Sequence, residues 1–229
     1  SDDDIRRILA EIVRRSGLRR SYVAMDCLRS SPPPGLPRHP RHARCYLACF
    51  AVPYVSLTTA EMDARGVHLM IPKVRRISSR SVDPRVKNFH WGDLTEGQFE
   101  ADDAGADFAI LLDAEDNVTE GAGFNVFAIT GRTVATPDHG MLEGITRTTV
   151  CELSKLMGLA VEQRPVKVDD LFDADEIFIC STAGGIMPAT RIDGRILGND
   201  RPGPLSVALR ELYWKKRSEG WQGTPIDYR

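Results

Sequence analysis

Lys87 follows a valine and precedes an apolar helix start in the run Ser81-Val82-Asp83-Pro84-Arg85-Val86-Lys87-Asn88-Phe89-His90-Trp91-Gly92-Asp93-Leu94. A lysine held away from water loses its proton and then attacks a carbonyl carbon. Read alone, a lysine beside a helix start is a solvated surface residue. Three other segments carry residue types that plain core packing does not select. Thr119-Glu120-Gly121-Ala122-Gly123-Phe124-Asn125 sets a carboxylate where a loop enters a strand, beside two glycines that allow close backbone approach to a ligand. Its plainer reading is a hairpin arm with an exposed carboxylate. Leu142-Glu143-Gly144-Ile145-Thr146-Arg147 places glycine and threonine at a helix start, where free amides and the helix dipole suit phosphate, or where a residue simply caps the helix. Cys180-Ser181-Thr182-Ala183-Gly184-Gly185-Ile186-Met187-Pro188 runs from a strand into a turn rich in hydroxyls and glycine, again suited to an oxyanion or phosphate.

Other chemistries lack their signatures. The chain has no GxGxxG fingerprint and no GxxxxGK[ST] loop, which disfavours nucleotide cofactors. It has no GxSxG elbow, and its histidines are scattered, so no Ser-His-Asp order emerges. Cys45 and Cys49 with His39 and His42 form the one conceivable metal cluster, but without the tight repeated spacing of structural zinc, so no metal is expected. Thirty Lys and Arg against 32 Asp and Glu give a net charge of −2, which excludes a chain built mainly to bind nucleic acid or an anionic membrane. A small-molecule substrate is the default. The other cysteines are Cys27, Cys151 and Cys180, and the odd set without a CxxC pair reads as free thiols of a reducing cytoplasm. No apolar run approaches the ~20 residues of a membrane helix, and the N-terminus lacks the basic and apolar stretches of a signal peptide.

The elements that must position these segments follow from periodicity. Ile5, Leu9, Ile12 and Val13 predict an opening helix, started by three aspartates and stopped at Gly17. Strands are predicted at 21–28, 45–57, 67–74, 108–112, 123–129, 133–135 and 176–180, with irregular chain through the prolines at 32–37. Helices are predicted at 91–104, with Leu94, Phe99 and Ala101 as its apolar positions, at 147–157, with Val150, Leu153, Leu156 and Met157, and at 203–216. Asp116-Asn117 and Asp193-Gly194 are turn signals. Strands mix with helices without strict alternation, which favours an α+β or mixed-sheet enzyme.

A lysine, an acid and two phosphate-type cradles are together the parts that hold pyridoxal phosphate. In that combination and order, the chain resembles the class IV, or D-amino-acid and branched-chain aminotransferase-like, pyridoxal-phosphate enzymes. The run from Lys87 to Leu94, with Trp91 and Gly92, looks most like the (R)-selective amine transaminases. The resemblance implies fold type IV, with a small α/β domain over residues 1–57, a linker over 58–66 and a larger mixed-sheet cofactor domain over 67–229. It implies a cytoplasmic homodimer using pyridoxal 5′-phosphate to move an amino group between an (R)-amine or D-amino acid and a 2-oxo acid such as pyruvate. The alternatives are a branched-chain aminotransferase, a lyase of the same fold, or a non-catalytic remnant with impaired cofactor binding. Lys87 would be the catalytic residue joined to the cofactor, Glu120 would pair with the pyridine nitrogen, and Ile145, Thr146 and Thr182 would bind the phosphate. Ser181 and Ala183 would lie at the cofactor and substrate edge. Trp91, with Tyr22 and Ala24 on the first strand, would shape the substrate pocket, and Arg29 on the proline-rich loop would meet a substrate carboxylate. Family chains begin with a further stretch of sheet that supplies an arginine to the phosphate; the small domain is therefore expected to be incomplete here. Arg75 and Arg76 carry no assigned role.

Overall fold

A computed structural model describes all of residues 1–229. The chain divides into two compact units, residues 1–56 with 222–229, and residues 57–221. The first unit opens on helix α1 (Asp2–Ser16), for which Ser1 and Asp4 form a reciprocal capping box and Gly17, at φ 68°, ends the last turn. Strands β1 (Ser21–Arg29) and β2 (Cys45–Pro53) then pair antiparallel from Ser21 against Pro53 to Arg29 against Cys45. Between them the proline-rich stretch forms no regular structure apart from one short 3₁₀ turn at Pro40–His42.

The second unit runs α2 (Ala60–Arg65), β3 (Val67–Met70), α3 (Gly92–Asp103), β4 (Phe108–Ala109), β5 (Glu120–Gly121), β6 (Phe124–Thr130) and β7 (Thr133–Thr136). It continues through α4 (Ile145–Leu156), β8 (Ala160–Gln163), α5 (Val168–Phe172), β9 (Glu176–Ser181), β10 (Gly185–Ile192), β11 (Arg195–Ile196) and α6 (Pro204–Ser218). Residues 58–66, expected as a linker, thus hold α2 within this unit. The strands form one mixed sheet in the order β4-β3-β10-β9-β6-β7-β8, with β5 added to β6 and β11 to β10. Its middle strands are antiparallel, whereas β3 runs parallel to β4 and β10, and β7 parallel to β8.

Both faces of the central strands are buried, which explains their unbroken apolar runs. Val126, Ala128, Ile177 and Ile179 point into one core. Phe127, Ile129, Phe178 and Cys180 point into the other, against Val150, Cys151 and Leu153 of α4 and Leu209 of α6. Phe127 and Phe178 are register partners, and their rings stack at 4.8 Å. No helix is long and apolar enough to cross a membrane. All five cysteines are free thiols, and no three His, Cys, Asp or Glu side chains stand together as a metal site.

Several expectations are corrected. Gly184, Gly185 and Pro188 read as a turn in sequence, yet Gly185 opens strand β10 and Pro188 pairs with Phe178 in mid-sheet, with a register shift toward β3 following between Ala189 and Arg191. Phe99 is exposed, since the buried stripe of α3 is Leu94, Gly97 and Ala101. Leu156 is likewise exposed, off the stripe of Val150, Leu153 and Ser154. Helix α4 begins at Ile145, two residues before the predicted start, so Ile145 and Thr146 form its first turn.

Candidate functional site

The β5–β6 hairpin places Glu120 opposite Asn125 and leaves no room for a side chain at Gly121. A Cβ on Gly121 would lie 2.4 Å from the Ala109 carbonyl oxygen and closer still to the Phe124 ring. Gly123 turns at φ 86°, a conformation natural to glycine. The hairpin carboxylate is not exposed: Glu120 is 6% accessible. Its Oε1 accepts from Nε (3.3 Å) and Nη2 (3.1 Å) of Arg76, and its Oε2 accepts from the Leu142 amide at 2.9 Å. Burial pushes the Glu120 carboxyl above its ordinary range; the Leu142 amide, Arg76 and Lys87 pull the other way without cancelling it.

Leu142 begins the segment that delivers the helix start. Asn125 Nδ2 donates to the Leu142 carbonyl at 2.8 Å, and the Gly144 amide donates to the same oxygen at 2.7 Å. A side chain at Gly144 would strike Asn125 Oδ1, 2.3 Å from an added Cβ. Helix α4 follows with no side chain capping its N-terminus. Thr146 is buried, and its hydroxyl lies 3.4 Å from that of Thr182 in the turn after β9. First-turn amides and two converging hydroxyls make an anion cradle. Ile145 is 85% exposed, so its backbone and not its side chain is what it offers. Arg147, two residues on, is buried in structural contacts with the Pro137 carbonyl and Gln163.

The turn after β9 is tied to the hairpin. Ser181 Oγ donates to the Gly123 carbonyl at 2.8 Å and accepts from the Ala183 amide at 3.3 Å. Behind it, Gly185 packs against Tyr213 and Trp214 of α6, where an added Cβ would come within 3.0 Å of both rings. Trp91, at the start of α3, closes the other side, with Cη2 3.7 Å from where a Cβ on Gly123 would sit. Lys87 Nζ is 6.0 Å from the centroid of the same indole. Contrary to the expectation that it is held away from solvent, Lys87 is exposed, because α3 starts only at Gly92 and the lysine lies on the preceding loop. Asn88 folds that loop, donating to the Val86 carbonyl and accepting from the His90 amide.

The second unit thus brings Trp91, Ser181 and Ala183 around Gly123, and Thr146 to Thr182. Tyr22, Ala24 and Arg29 belong to the first unit. Tyr22 and Ala24 share one face of the β1–β2 ribbon, while Arg29 closes β1 opposite Cys45, in the strand and not on the proline loop, with its side chain on the other face. Sequence reading missed Arg76 and Asn125. Both lie far along the chain from the groups they hold, and only pairing in three dimensions reveals them.

The residues present fit pyridoxal phosphate. Oε2 of Glu120 has one protein donor and so keeps one acceptor position for a ring N–H. The cradle of Thr146, Thr182 and the α4 amides suits a phosphate, and an amine stands on the Trp91 side.

The family described as amino-transferase class IV matches residues 1–192. A Methanocaldococcus jannaschii protein, provisionally named a branched-chain-amino-acid aminotransferase, is 32% identical over 209 residues, 90% of this chain and 70% of its own. A Thermotoga maritima protein with a similar provisional name is 36% identical over 150 residues; the match takes in 65% of this chain and 54% of that relative. The crystal structure of the branched-chain amino acid aminotransferase from Thermobaculum terrenum, in its PLP-bound holo form, superposes with a TM-score of 0.86 at 27% identity, covering 96% of this chain and 72% of that one.

Proposed function

The chain belongs to the class IV aminotransferase family, and from that premise we propose that it moves an amino group between an (R)-amine or D-amino acid and a 2-oxo acid such as pyruvate. Class IV aminotransferases use pyridoxal 5′-phosphate. The observation that carries the donor class is the indole of Trp91, which stands between the Gly123 turn and Lys87 and offers a broad apolar wall beside the amine. An arylalkyl amine or a small D-amino acid suits such a wall.

Bound in this site, the cofactor supplies an electron-withdrawing ring that makes the substrate C–H acidic. Lys87 Nζ is the group that would take up and return a proton at the substrate carbon beside that ring. Glu120 holds a proton at the ring nitrogen through Oε2, with Arg76 and the Leu142 amide fixing the carboxylate. Thr146, Thr182 and the first amides of α4 hold the phosphate, and Ser181 keeps the Gly123 and Ala183 turns in register. Within the first unit, the face of β1 that carries Tyr22 and Ala24 is proposed for the substrate, and Arg29, on the opposite face, is left without a role there. The resemblance supports a homodimer as the working form; sedimentation of the full chain tests it, and a monomer in the presence of pyridoxal phosphate would contradict it.

The names of the relatives favour a second reading, L-branched-chain amino acids as donors. The amine-donor half-reaction, followed by the change in cofactor absorbance, separates the two. On the first reading (R)-1-phenylethylamine and D-alanine convert the cofactor, and L-leucine does so about 100-fold more slowly. The reverse order establishes the second reading. Conversion by none of the three contradicts both and marks a chain that does not catalyse.

A further inference from the structure

Arg76 is buried, and its one guanidinium serves two buried or half-buried carboxylates. Nε and Nη2 donate to Glu120 Oε1, and Nη1 donates to Asp93 Oδ2 at 2.6 Å. The same Asp93 oxygen accepts from the Ile77 amide at 2.6 Å, while its Oδ1 accepts from the Leu94 amide. Arg76 and Ile77 stand before the segment that carries Lys87, and Asp93 stands after it. The Arg76–Asp93 contact therefore closes the neck of the Lys87 loop, and the other edge of the guanidinium orients the acid across the sheet.

We propose that Arg76 is a positioning residue for Glu120, and that Asp93, by taking a share of the same guanidinium, sets how much of its charge reaches Glu120. Two carboxylates on one cation leave a net negative charge in a poorly hydrated place, so each lessens the attraction felt by the other. The two sites divide unequally. Burial raises the Asp93 carboxyl, but the Ile77 amide and Arg76 outweigh it and hold it below the ordinary range; Glu120, facing Arg76, the Leu142 amide and the charge of Lys87, stays above it. Asp93 thereby acts on the ring-nitrogen partner without touching cofactor or substrate. The role at the ring nitrogen rests on the function proposed above; the coupling of the three side chains does not.

The test is carboxyl carbon NMR of the full chain labelled in glutamate, titrated without cofactor, with Glu120 assigned by its loss in E120Q. Asp93→Asn lowers the Glu120 midpoint by about one pH unit and Arg76→Met raises it by about one or more, while the Leu142 amide stays protected from exchange in Asp93→Asn. A purely structural role moves both variants the same way, toward the ordinary value, as the site opens. Shifts of like sign, or none, overturn the proposal. Where Arg76→Met does not fold, Arg76→Gln, which also removes the charge, takes its place, and a midpoint that fails to rise overturns it equally. With pyridoxal phosphate bound, the pH dependence of the cofactor absorbance follows the same two directions; a cofactor that ignores both while the NMR midpoints separate refutes only the ring-nitrogen role of Glu120.

Discussion

The hydroxyls of Thr146 and Thr182, 36 residues apart in the chain, stand 3.4 Å apart between the first turn of α4 and the turn after β9. Neither element makes the cradle alone. Gly144 admits the Asn125 side chain that sets the start of the helix, and Ser181 ties the β9 turn to Gly123, so the two hydroxyls meet only when both anchors are in place.

Replacing either threonine by valine keeps the shape and removes one hydroxyl donor. A hydrogen bond to a charged group contributes about 1.5–3 kcal/mol, so each variant should bind pyridoxal phosphate about 10- to 100-fold more weakly. Fluorescence titration measures this. Unchanged affinity in both variants would remove the phosphate from this cradle.

Glu120→Gln sets an amide N–H or a neutral oxygen against the Arg76 fork in a buried site. Asp93 still pairs with that guanidinium, so losing one of its two carboxylate partners should cost about 1–3 kcal/mol. Turnover should fall about 100-fold or further, as the proton at the ring nitrogen is no longer held. Thermal melting and steady-state rates read the two effects separately. A variant as active as the parent would exclude Glu120 from the reaction.

Gly203→Ala tests the docking of α6. Its backbone, at φ −71°, accepts alanine, but the new Cβ would fall 2.1 Å from Cδ of Glu176, whose carboxylate accepts from the Leu205 and Ser206 amides. Overpacking of this kind costs about 1–3 kcal/mol. Gly17→Ala meets no atom within 4 Å and bears only the left-handed backbone at φ 68°, a cost of about 1–2 kcal/mol. Because α6 carries Tyr213 and Trp214 against Gly185, only Gly203→Ala should also weaken cofactor binding. Melting curves with and without pyridoxal phosphate decide; equal cofactor stabilisation in both variants would contradict the coupling.

His139 introduces a pH dependence. Its imidazole meets Asp138 at 2.5 Å and Asp113 at 3.3 Å, and both raise its pKa, Asp138 most, against partial burial. A raised folded value means the stabilisation is complete below the unfolded histidine value of about 6.5 and is lost as pH rises through the folded one. The side chain is 46% exposed, so the effect is under about 1 kcal/mol. The denaturant midpoint should fall more between about pH 6 and 8 in the parent than in His139→Gln. A steeper fall in the variant would reverse the assignment.

The elements were legible where local chemistry spoke for them. The opening helix carries its own caps, the central strands their apolar runs, and Asp193-Gly194 its turn, with both residues at positive φ. Strand β10 was not, because two glycines and Pro188 mimic a loop, and the register shift beside them appears only once β3 lies alongside. Phe99 shows the converse: an apolar residue two positions off the buried stripe of α3 looks like core and is not. The four site segments were visible as residue types, yet the groups that aim them were not. Arg76, one of two adjacent arginines, reads as surface until Glu120, 44 residues later, folds back onto it.

The proposed function rests above all on Lys87 as the amine of a pyridoxal-phosphate site. That role is tested most directly by incubating the full chain with pyridoxal phosphate, reducing with borohydride and mapping the adduct by peptide mass. A single adduct on the peptide containing Lys87, absent from Lys87→Ala, is the predicted result. An adduct on Lys73, Lys155, Lys167, Lys215 or Lys216 instead, or none at saturating cofactor, would contradict it.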